Sequence, residues 1–212
     1  MPKIRPIGLP AVQLDLDFAE KAVITAFWGW LCARLLPGVF ESGAYVNIFL
    51  LMSEAVVVLL VVLRRRTTAI SRRSFDWFIG FAGTLMPLLA LPPSGEPFVP
   101  ITFCALLMLG GFGLNISAKL TLLRSFGVVA ANRGVKIGGP YRLIRHPMYA
   151  GYMLTHLGFF LSGPNLWNAC VYGLAFGFQV LRILAEERML NQDPAYRELS
   201  ARVPYRLAPF VF

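Results

Sequence analysis

Residues 139–151 read GPYRLIRHPMYAG and bring Tyr141, Arg145, His146 and Tyr149 together between two apolar stretches. Two phenols, a guanidinium and an imidazole offer charge and hydrogen bonds just where Pro147 can begin a helix. Proline suits a first helical position, because the donor it lacks would be unpaired there anyway. The helix end behind it favours an anionic group, so a ligand carboxylate or phosphate could dock against this segment. A second reading is an anchor of Arg and Tyr at the level of lipid headgroups; the residues by themselves leave both open. A second cluster, Arg182, Glu186, Glu187 and Arg188, lies near the C-terminus. Arg182 and Glu186 are four apart and share a helix face, whereas Glu187 is turned by roughly 100° from Glu186. Such a pattern also fits a solvated helix end with an internal ion pair. Arg182, however, closes an apolar run, where a charge should face a cavity or a partner.

Other candidates are weaker. Glu54 is a lone carboxylate in LLMSEAVVVLL, expected either to be protonated by burial or to pair with Arg34, Asn115 or Lys119 between helices. Gly110, Gly111 and Gly113 fall in one apolar run and predict close helix packing, with contact to a ligand as the alternative. His146 and His156 lack metal-ligand spacing, and no carboxylate nearby completes a site, so no metal is expected. Cys32, Cys104 and Cys170 all lie in apolar runs and predict neither a disulfide framework nor a zinc cluster. No glycine-rich nucleotide loop is present.

These residues need apolar elements to hold them. The 212 residues are 57% hydrophobic and 15% charged, against about a quarter charged in a soluble domain. Apolar runs at 22–36, 44–63, 75–92, 98–118 and 165–185 approach the length of a membrane-spanning helix. A shorter one, 147–162, comes directly after the motif and predicts a thin or tilted sixth span. Pro37-Gly38, the stretch 91–95 and Gly163-Pro164 read as turns. The charged stretch 186–203 predicts a surface helix. The fold expected is an all-α integral membrane protein of five to six transmembrane helices. The N-terminus shows no cleavable signal peptide. Of the 20 Lys and Arg, all but Arg34 lie before the first span, at 64–73, at 119–145 or from 182 onward. The positive-inside rule then makes both termini and the motif cytosolic. Basic residues beside a membrane also account for the net charge of +9 without a nucleic-acid partner.

GPYRLIRHPMYAG, Glu186-Glu187 and the later RVPYRLAPF together resemble the isoprenylcysteine carboxyl methyltransferase family and the related membrane phospholipid N-methyltransferases. The resemblance covers about 100–212, which would be the catalytic core of a single polytopic domain, 1–212, with variable spans at 1–99. It implies S-adenosylmethionine as cofactor in a cytosol-facing C-terminal pocket, and a lipophilic or lipidated acceptor reached from the bilayer. It implies that Val135, Ile137, Gly139, Tyr141, Arg145, His146 and Tyr149 line the cofactor site. Glu186 or Glu187 would hold the cofactor's ammonium group, Arg182 would face the acceptor, and Gly111 and Gly113 would contribute. With Arg182, Glu186 and Glu187 as catalytic residues, the expected reaction is carboxyl O-methylation of an isoprenylcysteine-like substrate. Methylation of a phospholipid amine is the alternative, with one of the glutamates taking its proton. Related regions in membrane sterol reductases add an NADPH-dependent reductase, and a lipid-binding protein without activity completes the set. The chain departs from the family in having Asp193-Pro194-Ala195-Tyr196 and Leu199 after the glutamates, where glycine and a second tyrosine are common.

Overall fold

The computed structural model describes residues 10–42, 55, 57–65, 67, 69–93 and 95–209, with the backbone alone at 10–15, 34–35 and 38–42. Helix α1, Pro10–Ser42, is succeeded by helical residues 57–63 (α2), then α3, Ser74–Leu85. The last four helices are α4, Ile101–Leu122, α5, Pro147–Leu161, α6, Leu166–Leu190, and α7, Pro194–Arg202. No strand occurs among the described residues, only one antiparallel bridge between Ile70 and Ala131.

Several expected boundaries move. The turn at Pro37-Gly38 is absent, and Pro37 lies inside α1. A proline costs a helix one hydrogen bond, but in apolar surroundings the helix still satisfies the remaining backbone groups. The span at 75–92 is shortened, because Met86–Leu89 tightens into a 3-10 turn around Pro87. The surface helix at 186–203 is divided: α6 runs unbroken to Leu190, and α7 starts anew at Pro194 under the Asp193 side-chain cap. Both glutamates therefore ride on the long apolar helix. Glu54 lies outside the described residues. Of its expected partners, Asn115 Nδ2 donates to Met148 O at 3.0 Å, and Lys119 stands over the Tyr152 ring.

Two helices among the described residues, Ile101–Ser125 and Leu166–Leu190, are long and apolar enough to cross a membrane, and Ser74–Leu89 is a shorter apolar one. Their large apolar side chains point outward. Leu106 and Leu109 on α4 are 63% and 68% exposed, and Leu166, Leu174 and Phe176 on α6 are exposed as well. An apolar surface of this extent is suited to lipid and foreign to a soluble monomer. Helices α4 and α5 meet through glycines. A Cβ on Gly111 would stand 2.6 Å from Gly151 O, and one on Gly158 would stand 2.7 Å from Cys104 O. Backbones this close are the small-residue packing of membrane helices. Helix α6 is fixed at its far end by Asn168, whose side chain exchanges hydrogen bonds with Leu91 N (2.9 Å) and Leu91 O (3.0 Å).

Candidate active site

The motif folds as a 3-10 turn, Gly139–Arg142, and then opens α5 at Pro147. Gly139 has φ +54, and a Cβ there would meet Thr121 Oγ1 at 2.6 Å. Glycine lets the turn press against the end of α4. The C-terminal segment runs beside the motif: Arg145 N donates to Tyr205 O (2.9 Å) and His146 N to Arg206 O (2.8 Å). That contact gives RVPYRLAPF its structural task, which is to clamp the residues just before α5.

The roughly 100° between Glu186 and Glu187 separates their surroundings. Glu187 is buried and receives Arg206 Nε at 2.8 Å, Tyr196 Oη at 3.2 Å, and His146 Nε2 and Arg145 Nη1 both at 3.3 Å. It ties the motif, α7 and the C-terminal segment to α6. Glu186 is partly exposed, accepts a hydrogen bond from the Tyr149 hydroxyl, and has His146 Nδ1 at 3.7 Å from its second oxygen. Burial, and then the neighbouring carboxylate, push the phenols of Tyr141 (beside Glu186) and Tyr196 (beside Glu187) well above their usual range, so both remain donors.

Glu186 opens onto a cavity of about 720 Å³. Val135, Tyr141, Arg145, His146 and Tyr149 line it, as the resemblance implied, and Arg133 and Lys136 join them. Three expected residues do not. Ile137 is 59% exposed on the outer surface, Gly139 is held against Thr121, and Glu187 is turned into its own cluster of donors. Gly111 and Gly113 also lie away from it: the first is in the α4–α5 contact, and a Cβ on the second would meet nothing within 4 Å.

Arg182 faces a different space. Its guanidinium donates to Val128 O (3.0 Å) and Thr84 Oγ1 (3.2 Å) and lies 5.1 Å above the Tyr149 ring. It borders a second cavity of about 1090 Å³ between α3, α4, α5 and α6. Met148 lines both cavities, and the consecutive residues Val128 and Val129 face one each.

One cluster had no signal in the sequence. Asp17 and Glu20 on α1 meet Arg64 and Arg133, all four buried. Arg64 pairs with Glu20 at 2.6 Å and Asp17 at 2.8 Å, and Arg133 reaches Asp17 at 3.3 Å and Glu20 at 3.4 Å. Glu20 also accepts Val128 N (2.8 Å) and Val129 N (3.2 Å). Burial, and then the like charge of Arg64, draw the Arg133 pKa down against the pull of the two carboxylates. These contacts fix the loop that separates the cavities, yet their members lie more than 40 positions apart along the chain. Among the described residues no three His, Cys, Asp or Glu converge on a possible metal position.

Residues 99–196 match the sequence model of the phospholipid methyltransferase family. The fold is similar to that of a eukaryotic intramembrane Ras methyltransferase, an isoprenylcysteine carboxyl methyltransferase, with a TM-score of 0.52 at 18% identity. That similarity covers 94% of this chain and 83% of the other. No curated protein sequence matches the chain. The matched segment contains the motif, Arg182 and both glutamates, and supports the resemblance read from them.

Proposed function

We propose that the protein is an S-adenosylmethionine-dependent methyltransferase acting on a lipophilic acceptor, with carboxyl O-methylation of an isoprenylcysteine-like substrate as the reaction. The observation that carries this reading is the pair of cavities: a polar one with acid and bases, set against an inner one on which Arg182 opens. The polar cavity suits a zwitterionic cofactor. Glu186 would take the ammonium group, and Arg133, Lys136 and Arg145 stand on the same wall for the carboxylate. The Nε atoms of Arg133 and Arg145 are buried without a hydrogen-bond partner. Leu122, Val135, Leu190 and Leu199 provide apolar surface for a ring system. When bound, the cofactor supplies an electrophilic methyl group on a sulfonium, which a carboxylate takes up without losing a proton.

The protein's own contribution is positioning. Tyr149 donates to Glu186 with its hydroxyl and carries Arg182 on its ring, so a single side chain orients the acid of one cavity and the cation of the other. Arg182 can orient an acceptor carboxylate by charge-assisted hydrogen bonds, and fixed alignment is most of what methyl transfer requires. The match to the phospholipid methyltransferase family keeps a phospholipid amine as the second acceptor. Calorimetry on purified protein should give one site for S-adenosylmethionine or its demethylated product and little heat with NADPH. Binding of NADPH alone would replace the reading with a reductase. With labelled cofactor, a base-labile product from prenylcysteine analogues marks an ester, and a base-stable product from phosphatidylethanolamine marks an N-methyl group.

The placement of basic residues supports several spans with the polar cavity and both termini in the cytosol. Ser74→Cys and Glu96→Cys, at two exposed positions, test this orientation. Glu96→Cys should react with an impermeant reagent from outside and Ser74→Cys should not; the opposite pattern reverses the topology. Ser71 is unsuited to such labelling, being buried with its hydroxyl on Asp76.

A further inference from the structure

We infer that Lys119 is a second acceptor-positioning residue, and that the inner cavity binds the anionic head of an amphiphile between Lys119 and Arg182. Among the described residues the cavity wall includes Lys119 and Arg182 but no aspartate or glutamate. Lys119 is 3% exposed and sits on α4 one turn beyond Asn115. Its ammonium lies 5.3 Å from the Tyr152 ring centre. Among the described residues no carboxylate comes within salt-bridge distance of it, and no oxygen accepts a hydrogen bond from it. Arg182 is similar: its two hydrogen bonds go to a hydroxyl and a carbonyl, and its Nε is buried and unpartnered.

Two buried cations facing one cavity repel each other, and each has given up water without gaining a counter-charge from the described residues. Charged groups so placed within apolar helices are expensive and mark a ligand or its path. Contact with an aromatic face compensates a cation only in part. A bound anion would supply the missing charge for both. The apolar remainder of the wall, Val57, Leu88, Phe112 and Phe126 among it, would take the aliphatic part of the same molecule. A free ammonium head is the poorest occupant of such a cavity. The anion can be the carboxylate of an acidic acceptor or the phosphate of a phospholipid. That this anion belongs to the methyl acceptor rests on the methyltransferase reading.

The test measures binding without cofactor. N-acetyl-S-farnesylcysteine, its carboxamide and phosphatidylethanolamine are titrated onto the full chain in detergent, using wild type, Lys119→Gln and Lys119→Arg. Wild type should hold the acid about tenfold more tightly than the carboxamide, a difference of about 1.4 kcal/mol. Lys119→Gln should erase that preference and leave carboxamide binding nearly unchanged, and Lys119→Arg should restore it. A residue that only packs would alter all ligands alike. If instead phosphatidylethanolamine binds and loses about tenfold in Lys119→Gln, the anion is the phosphate. If wild type binds acid and carboxamide equally and phosphatidylethanolamine not at all, the inference is overturned, whether or not the variants fold. It is equally overturned if Lys119→Gln melts like wild type and keeps every affinity. Acid binding that depends on Lys119, without any methyl transfer, leaves this inference standing and removes the methyltransferase reading. Methyl transfer indifferent to Lys119 does the reverse.

Discussion

The two cavities share Met148 and a stretch of loop, yet they are charged in different ways. The outer one sets Glu186 among Arg133, Lys136 and Arg145, so an entering molecule meets both signs. The inner one offers, among the described residues, Lys119 and Arg182 and no acid. Mixed charge suits a zwitterion; unbalanced positive charge in an apolar chamber suits an anion. The glutamates repeat the contrast on a smaller scale. Glu187 spends its lone pairs on four neighbours of its own chain, whereas Glu186 has a tyrosine hydroxyl and an open side. Charge on a wall informs about ligands only where the protein has left it unused.

The most damaging test of that contrast is Glu187→Ala. It should take the carboxylate away from Arg145, His146 and Arg206 and cost about 3–5 kcal/mol, seen as a melting temperature lower by roughly 10 °C. A wild-type melting curve with lost cofactor binding would make Glu187 a ligand instead. Next in size is Arg182→Ala. Turnover should fall about a hundredfold, roughly 3 kcal/mol of transition-state contact, with cofactor affinity within a few-fold of wild type. Abolished cofactor binding would erase the boundary between the cavities. Glu186→Gln should weaken the cofactor about tenfold, about 1.4 kcal/mol, with an unchanged melting temperature. His146→Ala should act in the same direction. The smallest effect belongs to Tyr149→Phe, which removes one hydroxyl bond to Glu186 and keeps the ring under Arg182. A few-fold loss of cofactor affinity is expected, near 1 kcal/mol, with turnover at saturation preserved. A larger loss of turnover would mean that the hydroxyl reaches the reacting atoms.

Much of the site was legible because its parts are local. Tyr141, Arg145, His146 and Tyr149 lie in one run, and the glutamates lie together on one helix, so residue type and spacing announce them. The division of labour between Glu186 and Glu187 was not legible. It depends on Arg206 and Tyr196, which reach Glu187 from separate elements. Ile137 and Gly139 fall outside the cavity lining because adjacency to a motif does not fix the direction of a side chain across a 3-10 turn. Gly111 was legible as a packing residue, and the close approach of α5 is what it permits. Lys119 was visible as a basic residue of the topology pattern and as a candidate partner of Glu54. Its significance lies in the lack of an acid around it among the described residues, which a sequence cannot display.

Glu20 makes distance along the chain a constraint on how much of the chain is needed. Its carboxylate holds the amides of Val128 and Val129 and, with Asp17, receives Arg64 and Arg133. The recognisable segment, 99–196, contains the loop but none of the α1 acids that moor it, nor Tyr205 and Arg206, which accept hydrogen bonds from the motif's backbone. The stretch that carries the family signature is therefore shorter than the unit that can work. A chain cut to the signature would keep the 139–151 motif, Arg182 and both glutamates and lose the mooring of the wall between its two chambers.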